Sequence, residues 1–193
     1  MKQTVLKGYV GNLALSAMFL AVGIVLPFFT GQIPQIGSML LPMHLPVLLC
    51  GLICGWQYGG AVGFVLPLLR TALFGMPPML TAVAMAFELA AYGVIAGALY
   101  QHSRWKCVVA LYRSLLAAMV GGRIVWGVVR VLMTGVAGEA FTWKLFLAGA
   151  FFNAIPGILL QLIFIPALMV ALDRTGLVRF SRVRPADAQT GES

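Results

Sequence analysis

Apolar runs long enough to cross a lipid bilayer follow one another along this sequence of 193 residues. The longest of them cover residues 8–29, 79–100, 107–134 and 143–172. A spanning helix needs about 20 predominantly apolar residues. Two shorter runs, residues 42–54 and 59–74, contain Pro46 and Pro67, and proline at such depth is tolerated where protein or a cavity satisfies the freed backbone groups. The pattern predicts an all-α membrane protein with six transmembrane helices.

Charged residues are too few to cover a water-soluble body of this size. Hydrophobic residues make up 61% of the chain and charged residues 9%, whereas soluble domains are about 25% charged. Most of the exterior is therefore expected to face lipid. We expect one membrane domain over residues 1–172 and a polar cytoplasmic tail over residues 173–193. No basic face outside that tail could serve a nucleic acid, so no nucleic-acid partner is expected.

Basic residues between the predicted spans indicate the orientation. One side of a six-helix count carries Lys2, Lys7, Arg104, Lys106, Arg174, Arg179, Arg182 and Arg184. The loops on the opposite side carry only Glu139 and, near a helix end, Lys144. Since cytoplasmic loops are enriched in lysine and arginine, both termini are predicted to be cytoplasmic.

Ionisable residues inside the predicted spans are the main functional signal. A charge at the bilayer centre costs about 2.5 to 3.5 kcal/mol on insertion scales, so each should face the protein interior, a cavity or a partner. From the rise per residue, Glu88 lies ~13 Å and Arg123 ~16 Å below the outer ends of their helices. Asn153 lies ~15 Å down the last helix, whereas Arg70 and Arg130 are roughly 6 Å deep.

Two interpretations of these depths remain open. In one, Glu88, Arg123 and Asn153 form the floor of a polar pocket, with Arg70 and Arg130 near its rim. In the other, Glu88 and Arg123 form a structural ion pair between two helices, and the rim arginines meet lipid headgroups.

Two ring-bearing side chains near the predicted pocket also have two interpretations each. His44, beside an uncharged outer loop over residues 30–41, either contacts substrate or caps its helix. Trp126 follows Arg123 by three positions and so shares its helix face. It either lines the pocket or belongs to the belt of interfacial aromatics.

Small residues at helical spacing occur in two of the predicted helices. Ala14, Ala17 and Ala21 lie in the first helix, and Gly93 and Gly97 lie in the fourth. Small residues four apart let another helix approach closely, which is how helices associate in lipid. Packing within the domain uses the same pattern, so both internal packing and an external partner remain open.

Sequence motifs for catalysis are missing from the chain. No Walker A, H-E-x-x-H or G-x-S-x-G pattern is present. An intramembrane enzyme needs a nucleophile and base, or a metal cluster, at one depth. We expect Cys50, Cys54 and Cys107 to be buried apolar residues rather than metal ligands. No catalytic residue, metal or cofactor is therefore expected. Two other functions remain open for this membrane protein. One is a lipid-modifying or proteolytic membrane enzyme that uses Glu88, and the other is a structural membrane subunit without a ligand.

Several features of the sequence are similar to one known family. They are the six predicted helices with cytoplasmic termini, the segment LPMHLPVLLCG at residues 41–51, the MPP at residues 76–78, Glu88, and the A-x-x-x-A of Ala17 and Ala21. Over about residues 8–172 the chain resembles the substrate-binding S component of an energy-coupling-factor (ECF) vitamin transporter.

This resemblance implies a function and its partners. The chain would bind a vitamin or vitamin precursor from outside, in the plasma membrane of a prokaryote. It would deliver this substrate with a transmembrane coupling subunit and two cytoplasmic ATPases. Ala17 and Ala21, with Ala14 beside them, would contact the coupling subunit. The substrate site would be roofed by residues 30–41 and lined by helices four to six.

Charge is the only clue to the substrate class. Glu88 is opposed by Arg70, Arg123 and Arg130, which leaves a net positive charge inside the membrane. Arginine pairs with a carboxylate through two parallel hydrogen bonds. We therefore expect an anionic vitamin such as pantothenate, with a pyridine vitamin or a pterin-like acid as alternatives.

Overall fold

Every regular element in the part of the chain that the computed structural model describes is a helix. That part covers residues 2–29, 41–103, 108–137 and 155–174. Its helices are α1 (Lys2–Phe29), α2 (His44–Cys54), α3 (Trp56–Phe74), α4 (Met79–His102), α5 (Val108–Ala137) and α6 (Ile155–Arg174). The predicted all-α class is confirmed for these residues. The start predicted for the last helix, residues 143–154, lies outside them, as does the tail beyond Arg174.

Three of the described helical segments are long and apolar enough to cross a membrane, by length and composition. They are Tyr9–Phe29, Met79–His102 and Val108–Met133. His44–Cys54 and Gly157–Leu172 are apolar but shorter. The count of six crossings and the cytoplasmic position of both termini remain predictions.

The connection between α2 and α3 is shorter than the sequence pattern indicates. Gly55 alone separates the two helices, and Trp56 already belongs to α3. Gly55 has a φ of 109°, a conformation that residues with a Cβ rarely adopt. The chain can therefore reverse within a single residue, and α2 and α3 form a tight antiparallel pair.

Glycines bring α2, α3 and α4 into close contact. A Cβ on Gly93 would meet the backbone of Gly59 on α3, and one on Gly97 would meet the carbonyl of Gly51 on α2. Small residues at such crossings let the backbones approach closely. The Gly93 and Gly97 pair is therefore explained by packing inside the domain.

Replacing one of these glycines should push two helices apart. We expect Gly93→Ala to lower the free energy of unfolding by about 1 to 3 kcal/mol, since an added methyl in a tightly packed contact forces the backbone to shift. Gly11→Ala is the control, because a Cβ there meets nothing within 4 Å. Thermal unfolding of the purified proteins in detergent measures both. Equal unfolding temperatures for the two variants would contradict this packing.

The remaining helices surround this glycine contact. α1 packs against α2 and α3, α5 packs against α4, and α6 packs against α5 and α2. The core between them is apolar and includes Leu48, Leu66, Leu89, Leu115 and Ile165. Cys50 and Cys54 are buried as expected, and the Cys50 thiol donates a hydrogen bond to Ser16 Oγ at 3.6 Å. Cys107 lies outside the described residues.

Candidate functional site

A buried polar cluster lies where α2, α4 and α5 meet, and consists of His44, Glu88, Tyr92 and Arg123. Glu88 Oε1 is 3.2 Å from Arg123 Nη1 and 3.6 Å from His44 Nε2. The rings of His44 and Tyr92 pack edge to face, with centroids 4.9 Å apart and an interplanar angle of 85°. Their contact confirms that Glu88 and Arg123 lie at one level, near the middle of α4 and α5, and their depth in the membrane remains a prediction.

All four side chains of this cluster are buried. Their exposed fractions are 0% for His44, 1% for Tyr92, 2% for Glu88 and 6% for Arg123. A buried charge is tolerated when it is paired and hydrogen-bonded. Removing one member of a buried pair leaves an uncompensated charge, which costs about 3 to 5 kcal/mol. The carboxylate of Glu88 and the guanidinium of Arg123 therefore depend on each other for burial.

Arg123 retains an unused edge for hydrogen bonding. Its Nε and Nη2 make no hydrogen bond to the part of the chain that the structure describes, while Nη1 faces Glu88. Nε and Nη2 lie on the same edge of the planar guanidinium. Two parallel N–H groups on one edge match the two oxygens of a carboxylate. The arginine can thus pair with Glu88 and with a second carboxylate at the same time.

The other members of the cluster also have hydrogen-bonding capacity to spare. Within the described ranges, neither ring nitrogen of His44 makes a hydrogen bond, and Glu88 Oε1 makes none. A neutral imidazole has one donor and one acceptor, and a carboxylate oxygen accepts. Buried polar groups are nearly always hydrogen-bonded. The arrangement therefore suits a small ligand that carries both donors and acceptors.

The first turn of α2 lies inside the domain, next to this cluster. His44 begins α2, and it contacts Glu88, which lies ~13 Å along α4. Residues 41–52 are all buried. The N-cap residue Met43 makes no side-chain cap, and no acidic residue occupies the first turn. A helix N-terminus carries a partial positive charge that favours anions. The ring of His44 faces Glu88 and Tyr92, so it does not cap its own helix.

Arg70 lies at the contact between α1 and α3. Its Nη1 donates a 2.8 Å hydrogen bond to the backbone carbonyl of Ile24. The guanidinium carbon is 5.2 Å from the ring centroid of Phe28 and 5.8 Å from that of Phe74. Gly63 on α3 packs against Leu89, the residue after Glu88 on α4. Arg70 lies ~10 Å further along α3 than Gly63, so it is well separated from Glu88. The geometry gives Arg70 a structural role, and its predicted role at the pocket rim remains a proposal.

Removing this arginine should destabilise the contact between α1 and α3. We expect Arg70→Leu to lower the free energy of unfolding by about 1 to 3 kcal/mol, because a charge-assisted hydrogen bond and two ring contacts are lost. Arg113→Leu is the control, since Arg113 is exposed on α5 and surface changes are usually worth less than about 0.5 kcal/mol. Thermal unfolding compares them. An Arg70→Leu protein that unfolds at the control's temperature would argue against this role.

The remaining predicted site residues lie on α5 or outside the described chain. The guanidinium of Arg130 lies 5.8 Å from the ring centroid of Trp126, one turn earlier on α5, and both side chains are half-buried. Asn153 and residues 30–40 of the outer loop lie outside the residues that the structure describes. The structure thus brings together His44, Glu88 and Arg123 among the predicted residues.

Tyr92 and Gln161 are buried polar side chains that were not predicted as site residues. Tyr92 follows Glu88 by one helical turn, so its position on the same face could have been recognised. Gln161 on α6 has an exposed fraction of 1%. Gln161 was not predicted as a site residue, although a polar amide within an apolar run is a recognisable signal.

The outer face of α1 carries the small residues singled out from the sequence. Ala14, Ala17 and Ala21 are exposed in the described part of the chain, whereas Ser16 and Phe19 point inward. Internal packing therefore explains the glycine pair of α4, but not the alanines of α1. The alanines form a smooth strip that another helix can approach.

The described residues form an all-helical fold with apolar candidate membrane spans and a buried polar cluster where α2, α4 and α5 meet. The model of one family, described as the ECF transporter substrate-specific component, matches residues 11–169. The chain belongs to this family. It is therefore a substrate-binding subunit of a membrane transporter and not an enzyme, and the resemblance seen in the sequence is confirmed. Comparison with curated proteins and with solved structures gave no match.

Proposed function

We propose that the chain binds one vitamin or vitamin precursor from outside the cell and delivers it inward with a transmembrane coupling subunit and two cytoplasmic ATPases. The observation that supports this most strongly is the buried cluster of His44, Glu88 and Arg123. In a transporter subunit, buried polar groups that make no hydrogen bond among the described residues are natural contacts of a substrate.

The substrate we propose is an anion such as pantothenate. Its carboxylate pairs with the Nε and Nη2 edge of Arg123, beside the positive end of α2. Its amide and hydroxyl groups satisfy Glu88 and His44, which offer acceptors and a donor. A pyridine vitamin or a pterin-like acid carries some of the same groups and remains an alternative substrate.

The remaining predicted contacts complete this proposal. We assign Asn153 to the floor of the site, and Arg70, Arg130 and Trp126 to the wall nearer its mouth. Residues 30–41 cover that mouth. Arginines along the entry path attract an anion before it reaches the floor.

The docking surface we propose is the exposed strip of Ala14, Ala17 and Ala21 on α1. Small side chains let a helix of the coupling subunit pack closely there. The chain crosses the plasma membrane of a prokaryote six times, with both termini and the tail over residues 173–193 in the cytoplasm. This orientation brings the ATPases to the basic side of the chain.

Uptake by reconstituted proteoliposomes tests the transport role. We expect radiolabelled pantothenate to accumulate only when the coupling subunit, both ATPases and ATP are present. The chain has no ATPase motif of its own, so it should show no uptake alone. Accumulation by the purified chain in liposomes that contain no ATP would contradict the proposed mechanism.

A further inference from the structure

Gln161 is a buried polar residue that the proposed site does not yet use. Its side chain is 1% exposed, and neither its amide oxygen nor its amide nitrogen makes a hydrogen bond in the part of the chain described. The amide offers two donors and an acceptor. Burying these groups without partners destabilises the folded protein. A ligand that supplies the missing partners would remove this cost.

The buried face of α6 places Gln161 at the edge of the hydrophobic core. Gly157, Gln161, Ile165 and Met169 recur at four-residue intervals and are all buried. Ile165 and Met169 belong to the core. The helix α6 packs against α5 and α2, which supply Arg123 and His44.

A matching order of side chains occurs on α5. Leu115 and Met119 belong to the core, and Arg123 follows one turn later. In the six-span topology proposed above, α5 and α6 run in opposite directions. Gln161 precedes Ile165 on α6, so both polar side chains would lie on the outer side of one apolar core.

We propose that Gln161 is a further ligand-contacting residue of the same site, and that it recognises a ligand group that both donates and accepts hydrogen bonds, such as an amide or lactam. This inference rests on the proposed function. With Arg123 taking the carboxylate, it narrows the substrate class to acids that carry an amide or lactam. Pantothenate and carboxylated pterins belong to this class. A pyridine vitamin that does not carry both a carboxylate and an amide falls outside it.

Three related probes separate the two contacts. Pantothenate has a carboxylate and an amide, pantothenol has the amide without the carboxylate, and the analogue of pantothenate in which two methylenes replace the amide has the carboxylate without the amide. Isothermal titration of the full-length purified chain gives the affinity for each. We expect Gln161→Met to weaken binding of pantothenate and pantothenol by about tenfold or more, because one buried hydrogen-bonding group is lost. Binding of the methylene analogue should change by less than about twofold, since this analogue lacks the group that Gln161 recognises.

The thermal unfolding temperature of the ligand-free protein provides a second readout. Gln161→Met has a similar volume and removes the unpartnered amide, so it should unfold at the wild-type temperature or above it. Gln161→Asn keeps the amide but shortens its reach, and should weaken binding of the same two probes. Ser114→Ala is the matched control. Ser114 is 1% exposed, and its hydroxyl donates to the carbonyls of Ala110 and Leu111 on its own helix, so its loss should leave all affinities unchanged.

Four other outcomes would contradict the role of Gln161, the substrate class or the proposed function. Wild-type affinity of Gln161→Met for pantothenate would mean that the amide does not contact the ligand. An equal loss for all three probes would indicate a general structural effect instead. Binding of a pyridine vitamin in place of pantothenate would overturn the substrate class but leave the proposed transport role. Failure of the wild-type chain to bind any vitamin would overturn the proposed function, and the role of Gln161 with it.

Discussion

Arg123→Met will abolish ligand binding and destabilise the protein. We expect affinity for the substrate to fall more than about a hundredfold, since the Nε and Nη2 edge proposed to bind its carboxylate is lost. The free energy of unfolding should fall by about 3 to 5 kcal/mol, because Glu88 would stay buried without its cation. Isothermal titration and thermal unfolding in detergent measure the two effects.

Pairing this change with Glu88→Met separates binding from stability. Replacing both members of a buried ion pair by apolar residues of similar volume is often neutral or stabilising. The double variant should therefore unfold near the wild-type temperature and still fail to bind. A double variant that is stable and binds with wild-type affinity would show that the ion pair is only structural, which is the alternative left open by the sequence.

Bulky residues on the outer face of α1 will abolish transport while binding stays intact. Ala17→Trp and Ala21→Trp place large rings on the exposed strip and prevent a partner helix from approaching. The buried cluster involves α2, α4 and α5, so its affinity for substrate should be unchanged. We expect uptake to fall at least about tenfold in cells that also produce the coupling subunit and ATPases, since loss of about 1.4 kcal/mol of association is tenfold.

Val120→Trp is the matched control for this experiment. Val120 is 60% exposed on α5, so the same ring is added to another apolar surface. We expect normal uptake from this variant. Loss of substrate binding by the α1 variants would mean that the alanines pack within the domain, and normal uptake would exclude this strip as the docking surface.

The common level of Glu88 and Arg123 was predictable from the sequence, but the neighbours of each charged side chain were not. Glu88 and Arg123 meet because the constant rise of a helix fixes how far each lies from its helix end. The same arithmetic put Arg70 near the rim. Depth does not specify which way a side chain points, and in the structure Arg70 turns to the carbonyl of Ile24 and the ring of Phe28.

Small-residue spacing has the same limitation. The glycines of α4 and the alanines of α1 obey one pattern, yet Gly93 packs inside the domain and Ala17 faces outward. The difference depends on which helices surround each face, and this is decided by tertiary packing. Only one sequence feature indicated that α2 begins inside the domain, which is a short apolar run that contains Pro46. The position of the first turn of α2 depends on its contacts with α4.

Native mass spectrometry tests the central claim most directly. The purified chain is incubated with a pool of water-soluble vitamins, without ATP or any other subunit. We predict that one vitamin remains bound to each wild-type chain, and that the Glu88→Met, Arg123→Met double variant retains none. Wild-type protein that retains no vitamin, or a double variant that retains as much as the wild type, would contradict a substrate site at His44, Glu88 and Arg123.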